Sequence, residues 1–269
     1  MKKGLKVLAL GALALPLGLL SACGGQLDFN SSLNVNNAGA YSASSQEELT
    51  TYVETETDSE PAVSTDLFSY RLVMDMRSDE ATQKATAIVQ GDAQGNVEFA
   101  SKITASLPGE DGGNINISMY YPGGDNYYAD VNLAYRGEMA DMNINGQFSF
   151  ALEGTASIPG VSPDYIFMYA EMADVESLIN SLAGSNATVS KAERDNKVNF
   201  KVEIEATQYM PASTYYVMFE DNALVGVRVE VGGDEGGTIS IEKYDGDIEY
   251  PNFDNYQSYE EYLASLINQ

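Results

Sequence analysis

The sequence contains no histidine and no tryptophan, a single cysteine, and few basic residues for its length. Histidine is the commonest general base and a frequent metal ligand, so its absence excludes Ser-His-Asp and Cys-His catalytic sites and imidazole-based metal sites. One cysteine excludes an intramolecular disulfide. Carboxylate chemistry of the glycosidase type remains, but with 40 acidic residues a close carboxylate pair is unremarkable. The sequence therefore predicts a protein that is not an enzyme and that holds no metal or cofactor.

Acidic residues outnumber basic ones by 40 to 14, which gives a net charge of −26. Such a surface repels nucleic acid and bare anionic lipid, so neither is an expected partner. Solubility and repulsion from an anionic envelope are the simplest consequences, and binding of cations or basic proteins is the alternative. The segment from Asp245 to Tyr256 has the acid density of a calcium loop but lacks EF-hand spacing, which favours a solvated acidic face.

Residues 1–22 have the layout of a secretory signal peptide. Three lysines lie within residues 2–6, an apolar run extends from Val7 to Leu20, and two small residues follow. A transmembrane helix is the alternative, but the run is shorter than the roughly 20 apolar residues that a span needs, and Pro16 interrupts it. Cleavage would remove three basic residues and no acidic one, which moves the net charge from −26 to −29. The chain is therefore predicted to be exported.

The only cysteine, Cys23, directly follows this signal. The stretch Leu20-Ser21-Ala22-Cys23 resembles the lipobox of bacterial lipoproteins and is in register with the signal. In that family the cysteine receives a diacylglyceryl group, becomes the first residue after cleavage, and can carry a further acyl chain such as palmitate on its amine. The resemblance implies lipidation of Cys23, and two acyl chains suffice for stable membrane attachment. An unlipidated cysteine near a cleavage site is the alternative.

The residues after the cysteine predict where the domain lies relative to the membrane. Residues 23–44 are rich in Asn, Ser, Gly and Ala, so we expect the lipidated cysteine to be followed by a flexible tether with an average span of about 25 Å. Gly24 is not the Asp that retains lipoproteins at the inner membrane of diderm bacteria. The expected location is the cell envelope: the outer face of the cell membrane, or the outer membrane of a diderm host.

From Asp66 onward, apolar residues alternate with polar ones as in strands with one buried face. Turn sequences, among them DAQG at 92–95 and PGGD at 122–125, predict hairpins between the runs. Short helices are predicted after Ser45, at 163–184 and at the end of the chain. Because no domain-sized linker follows Ser45, residues 45–269 are predicted to form one domain. The stripes predicted to face the interior include Phe68, Tyr70, Leu72 and Met74; Val97, Phe99, Ile103 and Leu107; Ile115, Ile117, Met119 and Tyr121; Tyr127, Val131, Leu133 and Tyr135; Met142, Ile144, Phe148, Phe150 and Leu152; Val198, Phe200, Val202 and Ile204; and Val225, Val227, Val229 and Val231.

These patterns predict the fold class. About ten antiparallel strands at about 4.8 Å spacing make a sheet roughly 48 Å wide with one apolar face. Three short helices, each about 10 Å across, are too few to cover a flat sheet of that width. We therefore expect an α+β fold, mostly antiparallel β: a curled meander sheet, or half-barrel, with a few short helices covering its concave face. An under-filled interior would bind an apolar ligand, and a filled interior is the alternative.

The order of these features resembles the LolA/LppX-like lipoprotein carriers. The likeness covers most of residues 46–256 and is carried by three stretches, MYYPGGDNYYADV, YYVMFEDNALVGVRVEV and TISIEKYDGDIEYPNFDNY. The resemblance implies a half-barrel with a hydrophobic cavity for acyl chains. The soluble carrier of that family uses an arginine inside its cavity. Arg71 lies on the face opposite the apolar stripe here, so no ligand-binding residue is carried over.

Two functions from different classes follow from these expectations. The first is a membrane-anchored envelope lipoprotein that binds or passes a lipid-like hydrophobic ligand without catalysis. The alternative is a structural or protein-interaction surface lipoprotein with a filled core and an acidic surface, whose protein partner the sequence does not identify. A carboxylate enzyme ranks third. The volume of the interior cavity separates the first two, and a pair of buried carboxylates in a cleft would favour the third.

Replacing Cys23 tests the predicted anchor. We expect the full wild-type chain, expressed in a bacterial host, to enter the detergent-rich phase on detergent partitioning. Cys23→Ala should stay in the aqueous phase, because the acyl chains that supply about 0.8 kcal/mol per buried CH₂ are then missing. A variant that partitions like the wild type would show that Cys23 is not the anchor.

Overall fold

The computed structural model describes residues 26–59, 68–79, 81–92, 96–107, 112–136, 142–154, 158, 161–172, 175–183, 187–207, 211–232 and 236–267. The predicted signal peptide and Cys23 lie outside these residues. The strands are β1 Ser42–Ala43, β2 Phe68–Arg77, β3 Thr82–Gly91, β4 Val97–Leu107, β5 Gly113–Tyr121, β6 Asn126–Tyr135, β7 Met142–Ala151, β8 Thr188–Arg194, β9 Lys197–Ile204, β10 Ser213–Glu220, β11 Ala223–Val231, β12 Gly236–Lys243 and β13 Gln257–Ser258. The helices are α1 Gln46–Ser59, α2 Pro163–Met172, α3 Val175–Ala183 and α4 Tyr259–Ile267, and Phe253–Asn255 forms a short 3₁₀ helix.

All the described strands belong to one sheet, in the order β1-β8-β9-β10-β11-β12-β2-β3-β4-β5-β6-β7-β13. Two antiparallel meanders, β2–β7 and β8–β12, join where β12 pairs with β2. The two-residue strands β1 and β13 lie at the edges, and β13 pairs parallel to β7. Strands β7 and β8 lie near opposite edges of the sheet, so the chain must cross from one edge to the other between them. Helices α2 and α3 lie in this connection. The fold class is as predicted: a mostly antiparallel, open meander sheet with a few short helices.

Strand alternation gives the sheet an apolar concave face and a polar convex face, as the sequence predicts. Phe200, Val202 and Val217 are fully buried in the concave core. Lys201, between two of them in sequence, instead pairs with Glu203 at 2.6 Å. Most of the predicted stripes occupy this core, and the side chain of Met142 lies outside the described residues.

One predicted stripe is wrong by a single residue. The β10–β11 register shifts between Met218 and Phe219, so that Phe219 lies opposite Leu224 rather than Val225. Leu224 is buried in the concave core, and Val225 is the extra residue of a β-bulge. The bulge follows directly from the hairpin turn, in which Asp221 and Asn222 both have positive φ, as a two-residue type I′ turn requires. An alternation count cannot locate such an insertion.

The helices cover the concave face in separate places. Helix α1 packs against α3 and β11, α2 against β3, and α4 against β7. Tyr52 of α1 meets the rings of Phe200 and Phe219 at 5.3 and 5.5 Å. Within the central helix predicted at 163–184, the structure describes two helical segments, α2 and α3. Among the described residues, no helix has the length and apolar character needed to cross a membrane.

The segment predicted as a flexible tether packs against the convex face. We call residues 26–41 the amino-terminal strap. Leu27, Leu33 and Ala38 of this strap are buried. Asn199 on β9 donates hydrogen bonds from Nδ2 to the Val35 carbonyl at 3.2 Å and to Asn37 Oδ1 at 2.9 Å. The structure thus corrects the tether prediction for the described residues 26–44: the polar residues that indicated flexibility contribute hydrogen bonds to the sheet.

Arg71 and Glu242 hold the middle of the amino-terminal strap. Glu242 is 3% exposed, and its Oε1 lies 3.4 Å from Arg71 Nη1. The backbone N–H and the hydroxyl of Ser32 both donate to Glu242 Oε2. Arg71 Nη2 in turn donates to the carbonyls of Asp28 and Asn30, at 2.9 and 3.1 Å. Arg71 therefore lies on the convex face, as predicted, and neutralises a buried carboxylate there.

A second strap, residues 244–256, crosses the convex face in the other direction. Gln90 Nε2 donates to the Gly246 carbonyl at 2.7 Å, and the Tyr256 hydroxyl donates to Asp130 Oδ1 at 2.8 Å. Phe253 stacks on Tyr128 with 3.9 Å between ring centroids. This carboxy-terminal strap differs from the solvated acidic face predicted for Asp245 to Tyr256. The acids stay exposed, but the apolar and aromatic residues between them are packed.

The face assignment of β9 predicts opposite outcomes for two neighbouring substitutions. Val202→Asp should lower the melting temperature by roughly 10 °C, because an unpaired charge in the core costs several kcal/mol. Lys201→Asp should lower it by only a few degrees, because it loses one partly exposed ion pair. Thermal unfolding followed by circular dichroism measures both. Equal losses would contradict the register of β9, since a one-residue slip exchanges the two faces.

The contacts of Arg71 and Glu242 with the amino-terminal strap predict a second pair of outcomes. Arg71→Ala should cost about 3–5 kcal/mol in urea unfolding, because it leaves Glu242 buried without a cation. Arg228→Ala, which breaks a more exposed pair with Glu230 on the same face, should cost about 1 kcal/mol or less. The double variant Arg71→Ala, Glu242→Gln should recover part of the loss. Similar values for Arg71→Ala and Arg228→Ala would show that the strap does not depend on the buried pair.

Candidate functional site: a crevice beneath helix α2

The strongest candidate site lies on the concave face, where α2 crosses the strands. A small crevice there has about 180 Å³ of empty space, including its open mouth, and admits no water-sized sphere. Strands β2, β3 and β12 form its floor, and one residue of α2 forms its roof. Its lining residues are Leu72, Met74, Ala85, Ala87, Tyr169 and Ile239.

The sequence of β3 explains why a crevice forms at this place. The inward positions of β3 include Ala85 and Ala87, whereas the neighbouring strands contribute Leu72, Met74 and Ile103. Two successive small side chains on one strand leave a depression in an otherwise closely packed surface. Helix α2 packs over β3, and the ring of Tyr169 enters the depression. Phe99 on β4 supports that ring at a centroid distance of 5.6 Å.

The hydroxyl of Tyr169 is the unusual group of the crevice. Tyr169 is 1% exposed, and among the described residues its hydroxyl has no hydrogen-bond partner. Burial, together with the neighbouring Tyr165, raises the pKa of Tyr169 well above its ordinary value, so the hydroxyl is a neutral donor. A buried polar group without a partner costs about 1–3 kcal/mol. The structure therefore places an unused hydrogen-bond donor in an apolar crevice.

A second unpartnered hydroxyl lies on the same face of the sheet. Ser101 on β4 is directly opposite Ala87 in the β3–β4 register, and residues opposite each other share a face. Its hydroxyl is buried without a hydrogen-bond partner among the described residues. The floor around Ala87 thus carries one small polar group in addition to the tyrosine above it.

The first turn of α2 places an acid beside the aromatic residues of β6 and β7. Ser162 precedes the helix, and its hydroxyl accepts a hydrogen bond from the Asp164 N–H at 3.2 Å. Burial, and then the charge of Asp164, raise the pKa of Tyr127 to about 12. Tyr127 itself stacks on Phe150, with 5.0 Å between ring centroids. The amino-terminal end of α2 is therefore acidic, and no Lys or Arg is among the residues that line the crevice.

Elsewhere on the concave face, inward side chains are fully buried from solvent. Val227, Val217 and Phe148 are each 0% exposed. The sequence argument expected a cavity or groove beneath the curled sheet, and the crevice described above is much smaller than a usual ligand pocket. The reason is the number of inward rings: aromatic side chains of the strands and of α1, α2 and α4 occupy the volume.

The buried carboxylates lie on the other side of the sheet. Glu242 belongs to the fastening of the amino-terminal strap, and Asp130 accepts hydrogen bonds from Gln147 and Tyr256 at 2.9 and 2.8 Å. Neither residue reaches the crevice, and both have structural partners. Within the described part of the chain, no group of three or more Asp, Glu or Cys residues is arranged to hold a metal ion. The carboxylate-enzyme hypothesis gains no site from this arrangement.

Comparison with known proteins adds a weak structural similarity. No protein-family profile and no curated protein matches this chain. A crystal structure of a β-barrel-like protein of domain of unknown function DUF1849 from Brucella abortus is similar, with 9% sequence identity over 68% of this chain and 100% of that chain. The TM-score is 0.25, which is too low to carry an argument. The fold assignment therefore rests on strand order and register.

The candidate site contains residues that the sequence analysis did not single out. The sequence predicted lipidation of Cys23, which lies outside the described residues, and left the ligand-binding residues unknown. Tyr169 was missed because a tyrosine in an amphipathic helix is ordinarily a core residue. The available signal was the pair Ala85 and Ala87, two small residues at successive inward positions of one strand. Recognising it required knowing that α2 crosses β3.

Proposed function

We propose that the protein is an exported envelope lipoprotein, anchored through Cys23, that binds a lipid-like ligand beneath α2 without catalysing a reaction. The hydroxyl of Tyr169 carries this proposal, because it is a buried donor without a described partner in an apolar crevice. A buried hydroxyl without a partner lowers the free energy of unfolding, and a ligand with a hydrogen-bond acceptor would give the hydroxyl a partner. The resemblance of the chain to lipoprotein carriers is consistent with an acyl chain as the apolar part of the ligand.

Binding requires α2 to separate from β3. Ligand pockets commonly have volumes of about 300–1,000 Å³, and the crevice admits no water-sized sphere. Helix α2 is ten residues long, and its main packing against the sheet is on the small residues of β3. An acyl chain that entered there would replace the contact between Tyr169 and the two alanines.

The charges around the crevice favour a neutral polar group on the ligand. No cation lines the crevice, and Asp164 lies in the first turn of α2. A buried carboxylate would lack a counter-charge there, which costs more than burying a neutral acceptor. A neutral ester carbonyl can accept the hydrogen bond of Tyr169 without this penalty. We therefore expect acyl esters to bind more tightly than free fatty acids.

Removing the hydroxyl tests the proposal. The chain from Gly24 onward, which lacks the anchor, is titrated with a fluorescent acyl methyl ester and with the corresponding free acid. Tyr169→Phe should weaken ester binding by about 2- to 10-fold, the value of one hydrogen bond, while leaving the unliganded protein equally or more stable. Ala87→Leu should abolish binding by filling the crevice, and Tyr165→Phe on the same helix should leave it unchanged.

The result also decides the second candidate, a structural or protein-interaction lipoprotein with a filled core. The absence of water-sized space in the crevice and the net charge of −26 favour this candidate. If the wild type binds neither probe in a saturable way and Tyr169→Phe changes only stability, the unpaired hydroxyl is merely a defect of packing. The acidic surface would then be the functional feature. If all variants bind equally, the probe is bound outside the crevice.

A further inference from the structure

The contacts between the amino-terminal strap and the rest of the domain begin very close in sequence to the proposed anchor, Cys23. Gln26 Nε2 donates to the Glu249 carbonyl at 2.6 Å, and the Glu249 N–H donates to Gln26 Oε1 at 2.9 Å. The next residue, Leu27, is 4% exposed and packs with Ile88 and Ile248. The two straps therefore meet at Gln26 and Glu249, and the chain is held to the domain from Gln26 onward.

This fastening limits how far the domain can stand from an anchor at Cys23. Two residues, Gly24 and Gly25, separate Cys23 from Gln26, so the chain between them makes three Cα–Cα steps, which span at most about 11 Å. A free tether of the predicted length would instead span about 25 Å on average. Covalent geometry sets this upper limit for any path of the chain between Cys23 and Gln26.

We propose that the domain rests directly on the membrane, with the end at which the two straps meet against the lipid headgroups. This inference rests on the lipid anchor of the proposed function and goes beyond it by assigning the membrane-facing surface. That surface consists of Gln26 and the exposed residues Asp247 and Glu249 beside it.

The charge of this surface indicates which lipids it fits. The carboxy-terminal strap, residues 244–256, contains four acids and no Lys or Arg. Anionic headgroups would repel such a surface, whereas zwitterionic headgroups would accept it at close range. The opposite end of the sheet lies well away from the anchor. Along β4, Ser106 is six residues beyond Ala100, a distance of about 20 Å at the rise of a strand.

Site-specific fluorescence quenching tests this orientation on the full lipidated chain. The anchor uses the only native cysteine, so an introduced cysteine is the single free thiol. Asp247→Cys places a fluorophore at the meeting point of the straps, and Ser106→Cys places one at the far end of the same face; both positions are exposed. In phosphatidylcholine vesicles that contain a headgroup-attached quencher, we expect several-fold stronger quenching at position 247 than at position 106.

Two further measurements separate the possible failures. Leu27→Asp should release the start of the strap and reduce the difference between the two positions, while flotation with the vesicles is unchanged. Equal quenching at both positions in the unmodified strap, or stronger quenching at position 106, would overturn the proposed orientation although the protein still floats. A wild-type chain that does not float with vesicles would show that the lipid anchor itself is absent, and the proposed function and the orientation would then fail together.

Discussion

The structure depends on covering one wide sheet on both of its faces. A meander of this width exposes far more surface than its own curvature can enclose, so each face needs other parts of the chain. On the concave face, α1 to α4 and the inward aromatic rings provide the cover. On the convex face, two straps of irregular chain provide it, with Leu27 and Ile248 as apolar contacts and Arg71, Glu242 and Asn199 as polar ones. The topology follows from the same constraint, because the chain crosses from β7 to β8 over the concave face and returns to pair β12 with β2.

The candidate site and the proposed membrane-facing end lie at two places where the elements that cover the sheet change. Beneath α2 the floor is made of Ala85 and Ala87, so the helix lies over a depression and Tyr169 buries a hydroxyl that has no described partner. On the convex face the amino-terminal strap begins at Gln26, three residues from Cys23, and the strap that holds the sheet together would also set its distance from the bilayer. A ligand that enters beneath α2 would act on the concave face, while the anchor acts on the convex one. Ligand binding on one face would affect the anchor on the other only if the strands between them moved.

Strands with large inward residues were predictable from the sequence, and strands without them were not. The stripes of β4, β5 and β9 follow from alternation alone, because Val, Ile and Phe at every second position form a strong pattern. Strand β3 was not singled out, because its inward positions include two alanines. Strand β8 was also missed, because Lys191 occupies an inward position, where it pairs with Glu48 at 2.9 Å and lies over the ring of Tyr52. The two-residue strands β1 and β13 carry no pattern and exist only because a neighbouring strand pairs with them.

The sequence by itself determined the fold class, the polarity of the two faces and the proposed site of lipidation, because each depends on local spacing: period-two alternation, or a cysteine in register with a signal. Tertiary structure decided the rest. From its composition, a segment rich in Asn, Ser and Gly is predicted to be a tether. In the folded chain, Asn199 and Arg71, which are more than 40 residues away in sequence, form hydrogen bonds with it. The same is true of the crevice, which requires α2 to lie over β3. Contacts between distant segments have no periodicity in sequence, so only the folded chain shows the crevice beneath α2 and the packing of residues 26–43 against the sheet.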